Sequence, residues 1–155
     1  MEKIKSFQVD HRKLDRGMYI SRIDGDVVTY DLRFCKPNTG VLLDNITIHT
    51  IEHMLATFTR NSDIGGEVVY FGPMGCRTGF YFLVRSSVTA EKVRDAVVSA
   101  IKKTLEYQGR VFGASEIECG NYRELDLDKA KSALSEYLPV IENTEIPDYD
   151  AVNAL

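Results

Sequence analysis

The 155-residue chain has no apolar run long enough to cross a bilayer, no N-terminal signal pattern and no surplus of positive charge. Its opening, "MEKIKSFQVDHRKLD", lacks the apolar stretch of a signal peptide, so a cytoplasmic protein without a membrane partner is expected. The formal charge is −4, and basic residues such as Lys102 and Lys103 are scattered rather than massed, which argues against a nucleic-acid partner. Internal repeats, low-complexity tracts and linkers are absent, so residues 1–155 read as one domain with room for a real core. A Gly-rich dinucleotide fingerprint is missing too, and no organic cofactor is expected. Cysteine is sparse: Cys35, Cys76 and Cys119 are odd in number and far apart, better suited to free thiols or metal ligands than to disulfides.

What is present alternates between two periodicities. "GMYISRID" and "DVVTYDLRFC" flank the turn pair Asp24-Gly25 and predict a hairpin. Asp44 or Asn45 can cap a helix running to about Arg60, with Ile48, Ile51, Leu55 and Phe58 at helical spacing. "EVVYFGP" and "TGFYFLVRS" predict two more strands joined by "PMGCR". Thr89 caps a longer helix striped by Val93, Val97, Ile101 and Leu105, which Gly109 ends. An irregular stretch carries Cys119, a last helix begins near Asp126, and the tail from Pro139 is acidic and expected to be loosely held. Two strands, helix, two strands, helix predicts an α+β fold: an antiparallel sheet with helices packed on one face, the other face open to a second copy.

The stretch "DNITIHTIEHML" holds two of the three histidines, four residues apart. Helical i and i+4 positions share a face, so His49 and His53 can present two imidazoles to one ion, with Glu52 beside them. A third ligand must come from the thiols, an acid or His11. Cys119 stands in the glycine-containing "IECGNY" and Cys76 in "GPMGCRTG", an exposed turn suited to a reactive thiol, whereas Cys35 fits a buried strand position. H-x-x-E-H is also the signature of inverted zinc peptidases, with Glu118 or Glu124 as third ligand, although such enzymes are much larger. A closed structural site, the non-enzymatic reading, requires Cys76 as a fourth ligand.

"SFQVDH", "DLRFCKPN", "TIHTIEHMLA", "PMGCRTGFYF" and "ECG" before a final helix, spread in order from about Ser6 to Tyr137, resemble the S-ribosylhomocysteine lyase (LuxS) family. The resemblance implies a LuxS/MPP-like metallohydrolase fold and a homodimer with both sites at the interface. It assigns His49, His53 and Cys119 as ligands of one divalent ion, Fe²⁺ natively, with Zn²⁺ or Co²⁺ as substitutes. Glu52 and Cys76 match the acid/base residues, and Ser6, His11 and Arg33 match substrate-holding positions, the N-terminal segment serving the neighbouring subunit's site. The implied reaction cleaves the thioether of S-ribosylhomocysteine, giving homocysteine and 4,5-dihydroxy-2,3-pentanedione, the precursor of autoinducer-2. One departure stands out: Tyr70 occupies a position, six before Cys76, where family members often carry an acid.

Overall fold

Alternating apolar and polar residues build the first hairpin, in a computed structural model that describes all 155 residues. Strands β1 (Gly17–Asp24) and β2 (Val27–Arg33) pair antiparallel, with Asp24 opposite Val27. Gly25 opens the two-residue loop at φ +59°, a left-handed conformation that glycine adopts without Cβ strain. Strands β3 (Val68–Pro73) and β4 (Gly79–Arg85) form the second hairpin, and β4 lies against β2. The sheet is therefore fully antiparallel in the order β1-β2-β4-β3.

Three helices cover one face of this sheet: α1 (Asn45–Arg60), α2 (Ala90–Glu106) and α3 (Leu127–Ile141). Each begins where a side chain satisfies an otherwise orphaned N–H: Asp44 accepts from Thr47, Thr89 from Lys92 and Asp126 from Lys129. Leu32, Phe80, Phe82 and Val84 point from the strands into a core completed by Ile51 and Leu55 of α1, Val97 and Ile101 of α2, and Leu134 and Tyr137 of α3. The α+β class and the antiparallel sheet thus agree with the sequence pattern.

The opposite face departs from it. Val9 and Leu14 of the N-terminal segment, Tyr19 of β1, and Tyr149 and Val152 of a short helix α4 (Tyr149–Asn153) form a second apolar cluster there. The tail from Pro139 is consequently not loose. Helix α3 runs through Pro139 because its apolar stripe continues to Ile141, which is fully buried, and a proline in the last turn forfeits only one hydrogen bond. Beyond it, Ile20 donates its N–H to the Pro147 carbonyl at 2.9 Å, a parallel bridge forms between Ile20 and Asp148, and Asp148 caps α4 through Ala151 at 2.7 Å. Farther along this face, Tyr81 and Leu83 are half-buried and Tyr70 is 51% exposed. No helix is long and apolar enough to cross a membrane.

Asp44→Ala tests the cap of the helix that bears both imidazoles. The loss should be about 0.5–1 kcal/mol, at the low end for a cap because the carboxylate is exposed, and should lower Tm by a few degrees. Hydrogen bonding from the Thr47 backbone, more than from any other group, holds the Asp44 carboxyl below its ordinary 3.8. A lowered folded pKa places this stabilisation above the unfolded value and removes it as the pH falls through the folded one. The Tm gap between wild type and variant should therefore narrow in acid; a gap that widens there contradicts the assignment.

Candidate metal centre

One turn of α1 separates His49 from His53, and their rings stand 4.6 Å apart at 90°. His49 Nδ1 lies 3.0 Å from the Glu124 carbonyl, and His53 Nδ1 lies 2.7 Å from the Phe112 carbonyl. A carbonyl only accepts, so both Nδ1 atoms carry the hydrogen and both Nε2 atoms offer a lone pair when the rings are neutral. Backbone support of this kind is what orients metal-bound imidazoles. The third donor is Cys119 Sγ, 3.3 Å from His49 Nε2, which also accepts the Asn121 N–H at 3.4 Å.

Irregular chain between α2 and α3 delivers that sulfur, and it is fastened at both ends. The Phe112 ring packs against Phe58 of α1 and against Tyr107. Gly113 follows at φ +72°, and a Cβ there would come within 3.1 Å of His53 Nδ1. Both features favour glycine at 113. At the far end, the Asp126 N–H donates to Thr50 Oγ1 of α1 at 2.8 Å, and Cys119 closes a local turn through the Ser115 carbonyl.

Together the three side chains bring one ligand atom each within 4.8 Å of one another, all half-buried. Two imidazole nitrogens and a thiol suit a tetrahedral dication, whose bonds of about 2.0–2.3 Å place its ligand atoms about 3.3–3.6 Å apart. Glu52 is half-buried on the same helix, one residue before His53. Glu118 binds the Ser115 hydroxyl and Glu124 contributes its backbone carbonyl, so neither supplies the third carboxylate that a peptidase needs. The peptidase reading is not supported.

A second group of side chains surrounds the turn between β3 and β4. Cys76 is exposed there, with Arg77 in the left-handed region at φ +60°. Gly79 lets the turn press onto β2, since a Cβ would stand 2.2 Å from the Leu32 carbonyl. Cys76 Sγ lies 3.1 Å from Thr78 Oγ1, and Arg33 Nη1 reaches Thr78 Oγ1 at 2.7 Å and the sulfur at 4.0 Å. Arg33 is only 1% exposed and forks onto Asp31, which is fully buried. Burial by itself lowers the Arg33 pKa; the Asp31 charge and hydrogen bond overcome it and hold the guanidinium above its ordinary value. A fixed cation thus sits 4.0 Å from an accessible thiol.

Ser6 is half-buried in a 3₁₀ turn and its hydroxyl faces the Tyr81 phenol, which burial first and Asp31 second push upward. His11 is half-buried, with Nδ1 on the Val9 carbonyl at 3.1 Å. Neither belongs to the His49–His53–Cys119 cluster. Cys35 is buried, and that burial pushes its thiol up, leaving it inert. Reading the sequence missed Asp31, Thr78, Gly113 and the two supporting carbonyls. Only Asp31 had a signal, an acid two residues before Arg33 on the same strand face.

His49→Ala and Cys119→Ala should each reduce bound divalent metal from about one per chain to near zero in metal analysis, at least a hundredfold loss of affinity. Stoichiometric metal in either variant contradicts the ligand set.

The model of the family described as S-Ribosylhomocysteinase (LuxS) matches residues 4–146. The chain is 43% identical to the S-ribosylhomocysteine lyase of Borreliella burgdorferi over 148 residues, covering 92% of this chain and 94% of that protein. It is 42% identical to the S-ribosylhomocysteine lyases of Finegoldia magna and Desulfotalea psychrophila at the same coverages. Ligand geometry, a thiol beside a buried arginine and similarity along nine-tenths of the sequence agree: this chain belongs to the S-ribosylhomocysteinase (LuxS) family.

Proposed function

We propose that the chain is an S-ribosylhomocysteine lyase, a carbon–sulfur lyase releasing homocysteine and 4,5-dihydroxy-2,3-pentanedione, the autoinducer-2 precursor. The observation that carries this reading is the His49–His53–Cys119 cluster, beside Glu52, in a chain similar to enzymes of that name. A thioether carbon resists direct hydrolysis, so the sugar must first be altered. Moving a proton from C2 to C1 shifts the carbonyl to C2, and repeating the step from C3 to C2 shifts it to C3. The sulfur on C5 is then β to a carbonyl; loss of the C4 proton expels it, and it leaves as a thiol once protonated.

His49, His53 and Cys119 would hold a divalent ion, Fe²⁺ in cells with Zn²⁺ or Co²⁺ able to replace it, which would supply Lewis-acid stabilisation of the charge that enolisation builds. Cys76, poised by Arg33 and Thr78, takes and returns protons on one side of the sugar. Glu52 moves protons at the other carbons and hands one to the departing sulfur. Ser6, His11 and Arg33 hold the substrate.

The working unit is a cytoplasmic homodimer of one-domain subunits, with the LuxS/MPP-like metallohydrolase fold and sites at the interface. Exposed apolar side chains beside the candidate residues support this: Phe7 adjoins Ser6 and is 69% exposed, and Ile117 lies near Cys119 and is 92% exposed. A second copy offers such surfaces a way out of water.

Cys76→Ala should keep its metal and lose homocysteine release by about a thousandfold or more, whereas Glu52→Gln should keep its metal and stop turnover at a ketone intermediate. A free-thiol assay with metal analysis reads both. Full turnover by Cys76→Ala removes the thiol from the reaction, and full turnover by Glu52→Gln removes the carboxylate from it.

A further inference from the structure

Helix α4 carries Tyr149 beneath the reactive turn. Its hydroxyl donates to Asp31 Oδ2 at 2.6 Å, and the residue is only 2% exposed. Asp31 receives Nε and Nη2 of Arg33, and the remaining guanidinium nitrogen reaches Thr78 and Cys76. The contacts run without a break from the C-terminal helix through β2 to the exposed sulfur. The family match ends at residue 146, so α4 lies beyond it.

We propose that Tyr149 is a positioning residue for the lyase reaction, its hydroxyl fixing the Asp31 carboxylate so that Arg33 is aimed at Cys76. This rests on Cys76 being the reacting thiol. A buried carboxylate keeps its orientation only when its oxygens have partners. Arg33 engages both Asp31 oxygens, Nε on Oδ1 and Nη2 on Oδ2, and Tyr149 adds a second donor on Oδ2. Tyr149 is the one side-chain donor to Asp31 other than Arg33, so without it the carboxylate and the guanidinium forked onto it swing as a unit, away from Thr78 and the sulfur. Burial and the adjacent Asp31 push the Tyr149 phenol well above its ordinary pKa, so it stays protonated and remains a donor. The helix itself is held by other contacts: the Asp148 cap, the Ile20–Pro147 hydrogen bond and Val152 in the apolar cluster. Removing one hydroxyl oxygen therefore leaves α4 docked.

The test compares metal-loaded, full-length wild type with Tyr149→Phe, Val152→Ala and Cys76→Ala. Two readouts are taken below the Tm of every variant: kcat and KM for thiol release from S-ribosylhomocysteine, and the rate of Cys76 alkylation by iodoacetamide, followed by mass spectrometry of the peptide that carries it. Tyr149→Phe should lower kcat about tenfold with KM within about twofold, and slow alkylation by a similar factor. Val152→Ala should lower Tm and leave both rates as in wild type. Wild-type kcat and alkylation in Tyr149→Phe overturn the proposal, as does an equal loss in Val152→Ala, which assigns the effect to docking rather than to the hydroxyl. Thiol release by Cys76→Ala at the wild-type rate defeats the underlying reading instead, and the alkylation rates still decide whether Tyr149 governs the surroundings of the sulfur.

Discussion

Two hydrogen bonds, from His49 to the Glu124 carbonyl and from His53 to the Phe112 carbonyl, tie the irregular chain after α2 to the face of α1. Everything at the centre depends on them. They set which ring nitrogen carries hydrogen, stop both imidazoles from turning, and hold the two ends of the segment that presents Cys119. Phe112 and Gly113 make the fit physical: the ring wedges against Phe58, and the missing Cβ lets the backbone approach His53. A loop so fastened meets the sulfur to the nitrogens at little cost in order, because most of its freedom is already gone.

The two faces of the sheet differ in what they bury. One carries Leu32, Phe80, Phe82 and Val84 into the helical core. The other carries Asp31 and Arg33 on the same strand, both buried, an arrangement that gains little stability over apolar residues and is tolerable only when the charges are hydrogen-bonded. Here they are: Arg33 by Asp31 and Thr78, Asp31 by Arg33 and Tyr149. That completeness is what a site needs when a cation must hold its place beside a thiol.

Local signals were legible in the sequence where local physics decides. Asp44, Thr89 and Asp126 cap helices as their types predict, Gly25 opens the first hairpin, and the four-residue spacing of the histidines puts both on one side of α1. The thiol in "IECGNY" was a ligand candidate, yet nothing in its neighbourhood says how the chain returns to α1; that follows from Phe112, Gly113 and Thr50, which are distant in sequence. The tail misled for the same reason. Pro139 and a run of acids look like the end of order, but Ile141, Tyr149 and Val152 each find an apolar seat that only the folded sheet provides.

The central claim is that two imidazole Nε2 atoms and the Cys119 sulfur hold one divalent ion and leave a place for an oxygen. X-ray absorption at the metal edge of the native, anaerobically purified protein reads that coordination directly. The expected spectrum has two nitrogens at about 2.0–2.1 Å, one sulfur at about 2.3 Å and a light oxygen scatterer. A second sulfur, or none, contradicts it.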